Sequence, residues 1–211
     1  MIRRTGFAAT AILLRAVCAN AAEPAQCHYT YSVWNVKAKA SKAHHAVAKP
    51  YAQLAAKEKG PLGCTPCEED QADVQLSNGL QFRACRLVSD RIHDALEAAL
   101  SRGQKIVSVV GYRAQMSKGP ADQSGNRTEL SNHAFGVAVD VNEGYNGLYN
   151  DCVAWSPQCV LGKGGPYQPG SELSLTEGSP LVQEMKKVGY DWGGKIAGRQ
   201  KDFMHFSPSG Y

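Results

Sequence analysis

His133 and Asp140 stand seven residues apart in "SNHAFGVAVDVN", and Asp202 and His205 stand three apart in "KDFMHF". Two imidazoles and a carboxylate are ligand types that hold a catalytic divalent metal, which takes three protein side chains and leaves one position open for water. His133, Asp140 and His205 supply that set. Asp202 is then available as a general base toward water, whose pKa such a metal lowers to near 7. Arg113, permanently charged, can stabilise the oxyanion of a tetrahedral intermediate. Spacing alone does not require a metal. An aspartate inside a core strand can equally be protonated, paired with a cation or hydrogen-bonded.

The elements that must position these residues follow from periodicity. Gly136 to Asn142 reads as a strand with Val137, Val139 and Val141 on one face and Ala138, Asp140 and Asn142 on the other. "QKIVSVVGYR" is rich in β-branched residues and predicts a strand delivering Arg113 at its end, followed by a polar loop from Ala114 to Leu130. Between about Phe82 and Arg102, apolar residues at 88, 92, 95, 96 and 99 predict an amphipathic helix stopped by Gly103. A second, shorter helix is expected after Ser179, with Ser179 as N-cap, Pro180 in the first turn and Gly189 at the end. "KDFMHFSPSGY" reads as a short strand-like run, and residues 143–175 as a long glycine-rich loop. From Cys27 to about Gly79 the breakers Pro50, Gly60, Pro61, Gly63 and Pro66 predict a loop-rich segment, with "KAKASKAHHAVAK" as a solvated helix face. His44 and His45 would then point apart and share no metal.

The 211 residues are 43% hydrophobic and 20% charged, enough for one domain with a sizeable core and unlike a disordered chain. The opening "MIRRTGFAATAILLRAVCANAAEP" has a basic start, an interrupted apolar run and an Ala-Asn-Ala ending, the pattern of a secretory signal peptide over residues 1–22. No later stretch approaches the roughly 20 apolar residues of a membrane helix, so no integral membrane segment is expected after its removal. Removing residues 1–22 takes away Arg3, Arg4, Arg15 and no acid, bringing the formal charge from +4 to +1. That balance gives no electrostatic case for nucleic acid. Six cysteines then remain: Cys27, Cys64, Cys67, Cys85, Cys152 and Cys159. In an oxidising compartment these read as three disulfides, with Cys152 and Cys159 the natural local pair. Cys64-x-x-Cys67 also admits a redox motif or half a zinc site, and the compartment argument favours plain disulfides.

"SNHAFGVAVDVN" resembles the Ser-x-His-x6-Asp signature of zinc D-Ala-D-Ala carboxypeptidases and peptidoglycan endopeptidases, which share a fold with the hedgehog signalling domain and lysostaphin-type enzymes. "DWGGKIAGRQKDFMHFSP" resembles the second half of that signature, and "SVVGYRAQ" the Tyr-Arg preceding the first metal ligand. The three motifs occur in the family's order across roughly Phe82 to Tyr211. The resemblance implies that His133, Asp140 and His205 hold one catalytic zinc, that Asp202 is the general base, and that Arg113 meets substrate or oxyanion. Lys195 departs from the Trp that many relatives carry there, and residues 27–80 match no motif of the family.

The expectations are therefore an α+β, hedgehog/DD-peptidase-like fold, a small, mostly antiparallel sheet flanked by helices and stapled by disulfides. Residues 1–22 are a signal peptide, 23–80 a cysteine-containing extension, and 81–211 a D-Ala-D-Ala carboxypeptidase-like metallopeptidase domain. The implied activity is hydrolysis of peptidoglycan stem peptides by a secreted or periplasmic monomer, with the D-alanyl-D-alanine bond first. The alternatives are an endopeptidase cutting a cross-link or an L-Ala-D-Glu bond, and a non-catalytic zinc-containing module that binds cell wall or protein. Ser131 is expected to orient the metal site by hydrogen bonding, Tyr112, Phe135, Trp192 and Phe206 to pack in the core or site wall. Gln123, Asn142 and Tyr145 are candidates to line a cleft.

Overall fold

A computed structural model describes residues 25–211, so the expected signal peptide lies outside the described residues. In chain order the strands are β1 (Gln26–Asn35), β2 (Ala40–Pro50), β3 (Gln71–Gln75), β4 (Gln81–Cys85), β5 (Val109–Val110), β6 (Gln115–Ala121) and β7 (Arg127–Leu130). They continue as β8 (Val139–Val141), β9 (Leu148–Asn150), β10 (Val160–Lys163), β11 (Asp191–Trp192), β12 (Gln200–Asp202) and β13 (His205–Ser207). The two α-helices among the described residues are α1 (Ser89–Ser101) and α2 (Pro180–Lys187), packed against each other. Neither is long and apolar enough to cross a membrane.

The class is α+β, but among the described residues the expected single sheet is four small ones, ordered β2-β1-β6-β7, β3-β4, β11-β13-β8-β5 and β10-β9-β12. Every strand pair is antiparallel except β1 with β6. The apolar stripe of α1 (Ile92, Ala95, Leu96, Ala99) and the Leu181 and Met185 side of α2 are buried in one core with Val137, Val139, Val141 and Phe206. Both faces of β8 are covered, so its valines and Asp140 are equally buried.

Several sequence expectations are corrected. The first residues of the expected Phe82–Arg102 helix form β4, because Phe82 and Ala84 alternate into the core opposite β3 and Cys85 is bridged to Cys64. The polar loop 114–130 is the β6–β7 hairpin. Its turn is closed by Asp122, whose carboxylate accepts from the Asn126 backbone N–H at 2.8 Å. The "KAKASKAHHAVAK" segment is the turn and second strand of a hairpin rather than a helix: β2 pairs along the length of β1, and tertiary pairing overrides the helical propensity of its alanines. His44 and His45 lie exposed on that edge strand. Ser179 precedes α2 as expected, yet its hydroxyl accepts from Thr176 N–H at 2.8 Å instead of capping the helix.

Three disulfides join Cys27 to Cys67, Cys64 to Cys85 and Cys152 to Cys159. The local Cys152 and Cys159 pair is as expected. Cys64 and Cys67 are spent on two different partners, which leaves neither a redox dithiol nor a zinc half-site. A division at residue 80 falls within the β3–β4 hairpin, and β1 adds to β6, so residues 26–80 are joined to the remainder by hydrogen bonds as well as by sulfur.

Candidate active site

His133 sits on a short 3-10 turn, Asn132–Phe135, whose start is held by Ser131: its hydroxyl accepts from the Ala134 N–H at 3.3 Å. Gly136 ends the turn at φ +64°, donating to the His133 carbonyl at 3.0 Å. A Cβ there would stand 2.0 Å from Gln71 Oε1 and 2.5 Å from the Cys85 nitrogen. Gly136→Ala therefore combines left-handed strain with a backbone clash, and a loss of at least about 2 kcal/mol is expected. A thermal melt checks this: a fall of under about 4 °C would show that the turn accommodates the methyl group.

The His133 ring is oriented from behind. Its Nδ1 donates to the Gly111 carbonyl at 2.8 Å, which leaves the Nε2 lone pair facing inward. Asp140 lies at the centre of the β11-β13-β8-β5 sheet, directly opposite His205 on β13 and Val110 on β5. The register thus brings together two residues 65 apart in sequence.

Three atoms close a triangle: His133 Nε2 to Asp140 Oδ1 at 3.0 Å, Asp140 Oδ1 to His205 Nδ1 at 3.0 Å, and His205 Nδ1 to His133 Nε2 at 3.2 Å. All three residues are buried, at 3%, 2% and 6% exposure. A tetrahedral zinc with ligands at roughly 2.0–2.2 Å has ligand-to-ligand edges of about 3.3–3.6 Å, so a small outward movement of the three side chains makes the triangle one face of such a site. The donor chemistry agrees. With His133 Nδ1 committed as a donor, its Nε2 meets a carboxylate oxygen and another imidazole nitrogen, an apposition of lone pairs that needs a cation or protons. His133, Asp140 and His205 are thus a group that can hold a metal ion. Burial alone would push the Asp140 carboxyl up, but its electrostatic and hydrogen-bonding interactions with His133 and His205 outweigh it and hold it well below the usual carboxylate range.

Arg113 approaches from the exposed side. Its backbone N–H donates to the His133 carbonyl at 3.1 Å, and its side-chain Nη2 donates to Asp140 Oδ2 at 3.1 Å, on the side of the carboxylate away from the triangle. One edge of the guanidinium steadies the Asp140 carboxylate, with the side chain 37% exposed and its other N–H groups available.

Asp202 ends β12 in the neighbouring β10-β9-β12 sheet, and the turn to His205 passes between the two sheets. That turn is pinned by Trp192 Nε1 donating to the Phe203 carbonyl at 2.7 Å. Asp202 Oδ1 and His205 Nε2 are buried without a hydrogen-bond partner among the described residues. Burial pushes the Asp202 carboxyl up to about 7; His205 pulls against the shift, Asp140 adds to it, and Lys163 and Arg113 oppose it.

On the far side of Phe203 lies a cleft of about 530 Å³ lined by Trp155, Tyr167, Trp192, Phe203, Lys195 and Glu177. Tyr167 and Phe203 stack with ring centroids 3.7 Å apart, and Lys195 pairs with Glu177 at 2.5 Å on the rim. The sequence reading missed Tyr167, Trp155 and Phe203; a tryptophan held inside the Cys152 and Cys159 loop was the available signal. It also missed Gly111, whose contribution is a backbone carbonyl and leaves no side-chain mark.

Of the other candidates, Phe135, Trp192 and Phe206 are core, and the half-buried Tyr112 donates to the Pro66 carbonyl at 2.7 Å. Asn142 does not line a cleft: it is fully buried and ties Val107, Lys105 and Leu173 together through their backbones. Gln123 is exposed on the β6–β7 turn, and Tyr145 is exposed.

The family model described as D-alanyl-D-alanine carboxypeptidase matches residues 124–208, spanning His133, Asp140, Asp202 and His205 but not Arg113. No curated protein and no solved structure gave a match.

Proposed function

We propose, on the premise that residues 124–208 belong to the zinc D-alanyl-D-alanine carboxypeptidase family, that the protein is an extracytoplasmic, monomeric zinc peptidase. It removes the terminal D-alanine from peptidoglycan stem peptides. The observation that carries this reading is the buried His133, Asp140 and His205 triangle, with the unpartnered Asp202 carboxylate three residues from its last member. The family's hedgehog-like fold is the architecture we assign to residues 81–211, with residues 1–22 as the exported leader and 23–80 as a disulfide-bound extension. Three disulfides support a site outside the reducing cytoplasm.

His133 Nε2, Asp140 Oδ1 and His205 Nδ1 are the atoms that would hold zinc. When bound, zinc polarises the peptide carbonyl and makes water a stronger acid. The protein's own groups do the rest. Asp202 takes the proton as water attacks the carbonyl carbon and returns it to the leaving amine as the C–N bond breaks. The exposed N–H groups of Arg113 stabilise the negative charge that develops on the carbonyl oxygen. Ser131, Gly136 and the Gly111 carbonyl hold the His133 ring in place.

As a base Asp202 works only when ionised, so activity rises with pH through its pKa. The value of about 7 belongs to the metal-free protein, and kcat/KM is expected to fall toward acid by about tenfold per pH unit below the pKa that Asp202 has in the loaded enzyme, and to be level by pH 8. A dication in the triangle lowers that pKa from the metal-free value and moves the acid limb down. A rate profile flat between pH 4 and 8 would remove Asp202 from the role.

The deciding experiment is mass spectrometry of peptidoglycan fragments carrying pentapeptide stems and cross-links after incubation with the zinc-loaded protein. Loss of one alanine is the expected result. Cleavage of a cross-link or of an L-Ala-D-Glu bond would keep the chemistry and change the bond. Intact fragments with zinc bound would turn the reading to a non-catalytic binding module, for which a buried unpartnered Asp202 has no use.

A further inference from the structure

The turn between Asp202 and His205 is held from behind by Phe203. That ring is buried in an aromatic box, its centroid 3.7 Å from Tyr167, 5.7 Å from Trp192, 5.8 Å from Trp155 and 5.9 Å from Tyr149. The Phe203 backbone is tied as well: its carbonyl accepts from Trp192 Nε1 and its N–H donates to the Gly147 carbonyl at 3.2 Å. His205 has a second support in the register of β13 on β8. Displacement of Phe203 therefore moves the Asp202 carboxylate relative to a triangle that stays in place.

Three walls of the box belong to the body of the fold. Tyr149 is on β9, Trp192 is on β11, and the Tyr167 hydroxyl donates to the Leu175 carbonyl at 2.7 Å. Trp155 is different, because it comes from the surface loop closed by Cys152 and Cys159, in which Val153, Ala154, Pro157 and Gln158 are exposed. It packs edge-on against Tyr149 at 4.9 Å, Tyr167 at 5.0 Å and Phe203 at 5.8 Å, an arrangement that aromatic quadrupoles favour. The cleft beside it, lined by both Trp155 and Phe203, gives the Phe203 ring room to move once Trp155 departs.

Of the three bridges among the described residues, this is the one a reductant reaches. Cys27, Cys64, Cys67 and Cys85 are at most 1% exposed, whereas Cys159 is half-buried at the surface. A thiolate of a dithiol attacks Cys159 Sγ, the S–S bond breaks, and Cys152 leaves as a thiolate that takes up a proton. The second thiol of the reductant then displaces Cys159 from the mixed disulfide, so two electrons and two protons pass to the protein and the dithiol becomes a disulfide. The Ser156 N–H, which donates to Cys159 Sγ at 3.4 Å, stabilises the thiolate that leaves in this second step.

We infer that Trp155 is a positioning residue for the Asp202 turn and that the Cys152–Cys159 bridge is a redox switch acting through it. Closed, the bridge holds Trp155 against Phe203; opened by a dithiol reductase, it releases Trp155 and turnover falls. The inference rests on the peptidase reading above and adds control to the same site.

The test incubates the zinc-loaded protein with reduced thioredoxin, alkylates free thiols with iodoacetamide and locates them by mass spectrometry. Peptide turnover, zinc content and the indole N–H signals of the three tryptophans in a 1H–15N spectrum are read on the same sample. Alkylation is expected at Cys152 and Cys159 and at none of the other four bridged cysteines. With it, kcat falls by about 10- to 100-fold at unchanged KM and zinc content, the scale of a misplaced catalytic group. The Trp155 and Trp192 signals shift, the latter because its N–H reports on the Phe203 carbonyl, while the Trp34 signal stays. Reoxidation restores the rate, and the double variant Cys152→Ser with Cys159→Ser reproduces the loss without responding to thioredoxin. Trp155→Ala gives the same loss with the bridge closed, and Trp155→Phe recovers most of it. An opened bridge with rate and Trp192 signal unchanged, or earlier reduction of a buried bridge, overturns the switch. A Trp155→Ala protein whose only change is a lower Tm removes the positioning role. If the closed protein cuts no peptide, the peptidase reading fails and the Trp192 signal decides the inference; equal turnover open and closed leaves the reading and sinks the inference.

Discussion

Asp202→Ala is expected to lower kcat by about 10²- to 10⁴-fold while the protein still binds one zinc with undiminished affinity. The two halves of that result follow from separate features. Loss of rate follows from where the carboxylate stands: three residues before His205, across the turn between two sheets, with Oδ1 buried and unpartnered and therefore free to take a proton. Retention of zinc follows because Asp202 lies outside the triangle, whose three edges are closed by His133, Asp140 and His205 alone. Kinetics paired with metal analysis of the same sample separate the possibilities. A variant that loses rate and zinc together would make Asp202 a fourth ligand, and one that loses neither would make it a structural carboxylate.

Removing this group also has a sign in stability. Its folded-state value, near 7, is above the ordinary 3.8, so folding favours the neutral acid, and the cost of burying the ion appears as pH rises from about 4 and is complete above 7. In the metal-free protein Asp202→Asn should therefore raise Tm at pH 8 and leave it nearly unchanged at pH 4. A variant less stable at both pH values would mean that the carboxylate has a partner that compensates its burial.

What could be read from the chain before its fold was known divides along physical lines. Local periodicity was sufficient for α1 beyond Ser89, for α2 and for the β8 valines, because an amphipathic stripe and its stop signals lie within one stretch of chain. It failed for β2, where an alanine- and lysine-rich run takes its conformation from β1, and for β6 and β7, whose polar residues show no alternation because little of either face is buried. The ligand types at His133, Asp140 and His205 were legible, but their meeting is a matter of strand register across the β8–β13 pair, which no local pattern encodes. Cysteine pairing was legible only for the short Cys152 and Cys159 loop; Cys64 and Cys67 diverge to Cys85 and Cys27 because the hairpins around them, not their spacing, bring the sulfurs together. Arg113 was read by its charge as a contact for substrate or oxyanion; the hydrogen bond from its Nη2 to Asp140 Oδ2 is a further duty that no local pattern encodes.

That last contact makes Asp140 the position where the other large effect is expected. It is the one anion among His133, His205 and Arg113, bonded to all three, at 2% exposure. Asp140→Asn keeps the shape and removes the charge, so zinc content after dialysis should fall from one per chain to near zero and activity with it. Saturating zinc at about 100 times its dissociation constant stabilises the unaltered protein by about 2.7 kcal/mol, a rise in Tm of roughly 5–11 °C, and Asp140→Asn should lose that rise. Asp140→Ala should do more. Like Asp140→Asn it leaves a guanidinium and two imidazoles without a counter-charge, and it also removes the oxygens they bond, at a cost of about 3–5 kcal/mol even without metal. The contrast between the two variants separates the carboxylate's duties: a zinc-dependent rise in Tm lost equally in both identifies the ligand, a metal-free deficit shared by both identifies the counter-ion, and a further deficit confined to Asp140→Ala identifies the packing and hydrogen bonds that Asn retains. If Asp140→Asn kept both its zinc and its rise in Tm, the triangle would be a buried charge network, and a metal held elsewhere would have to account for any hydrolysis.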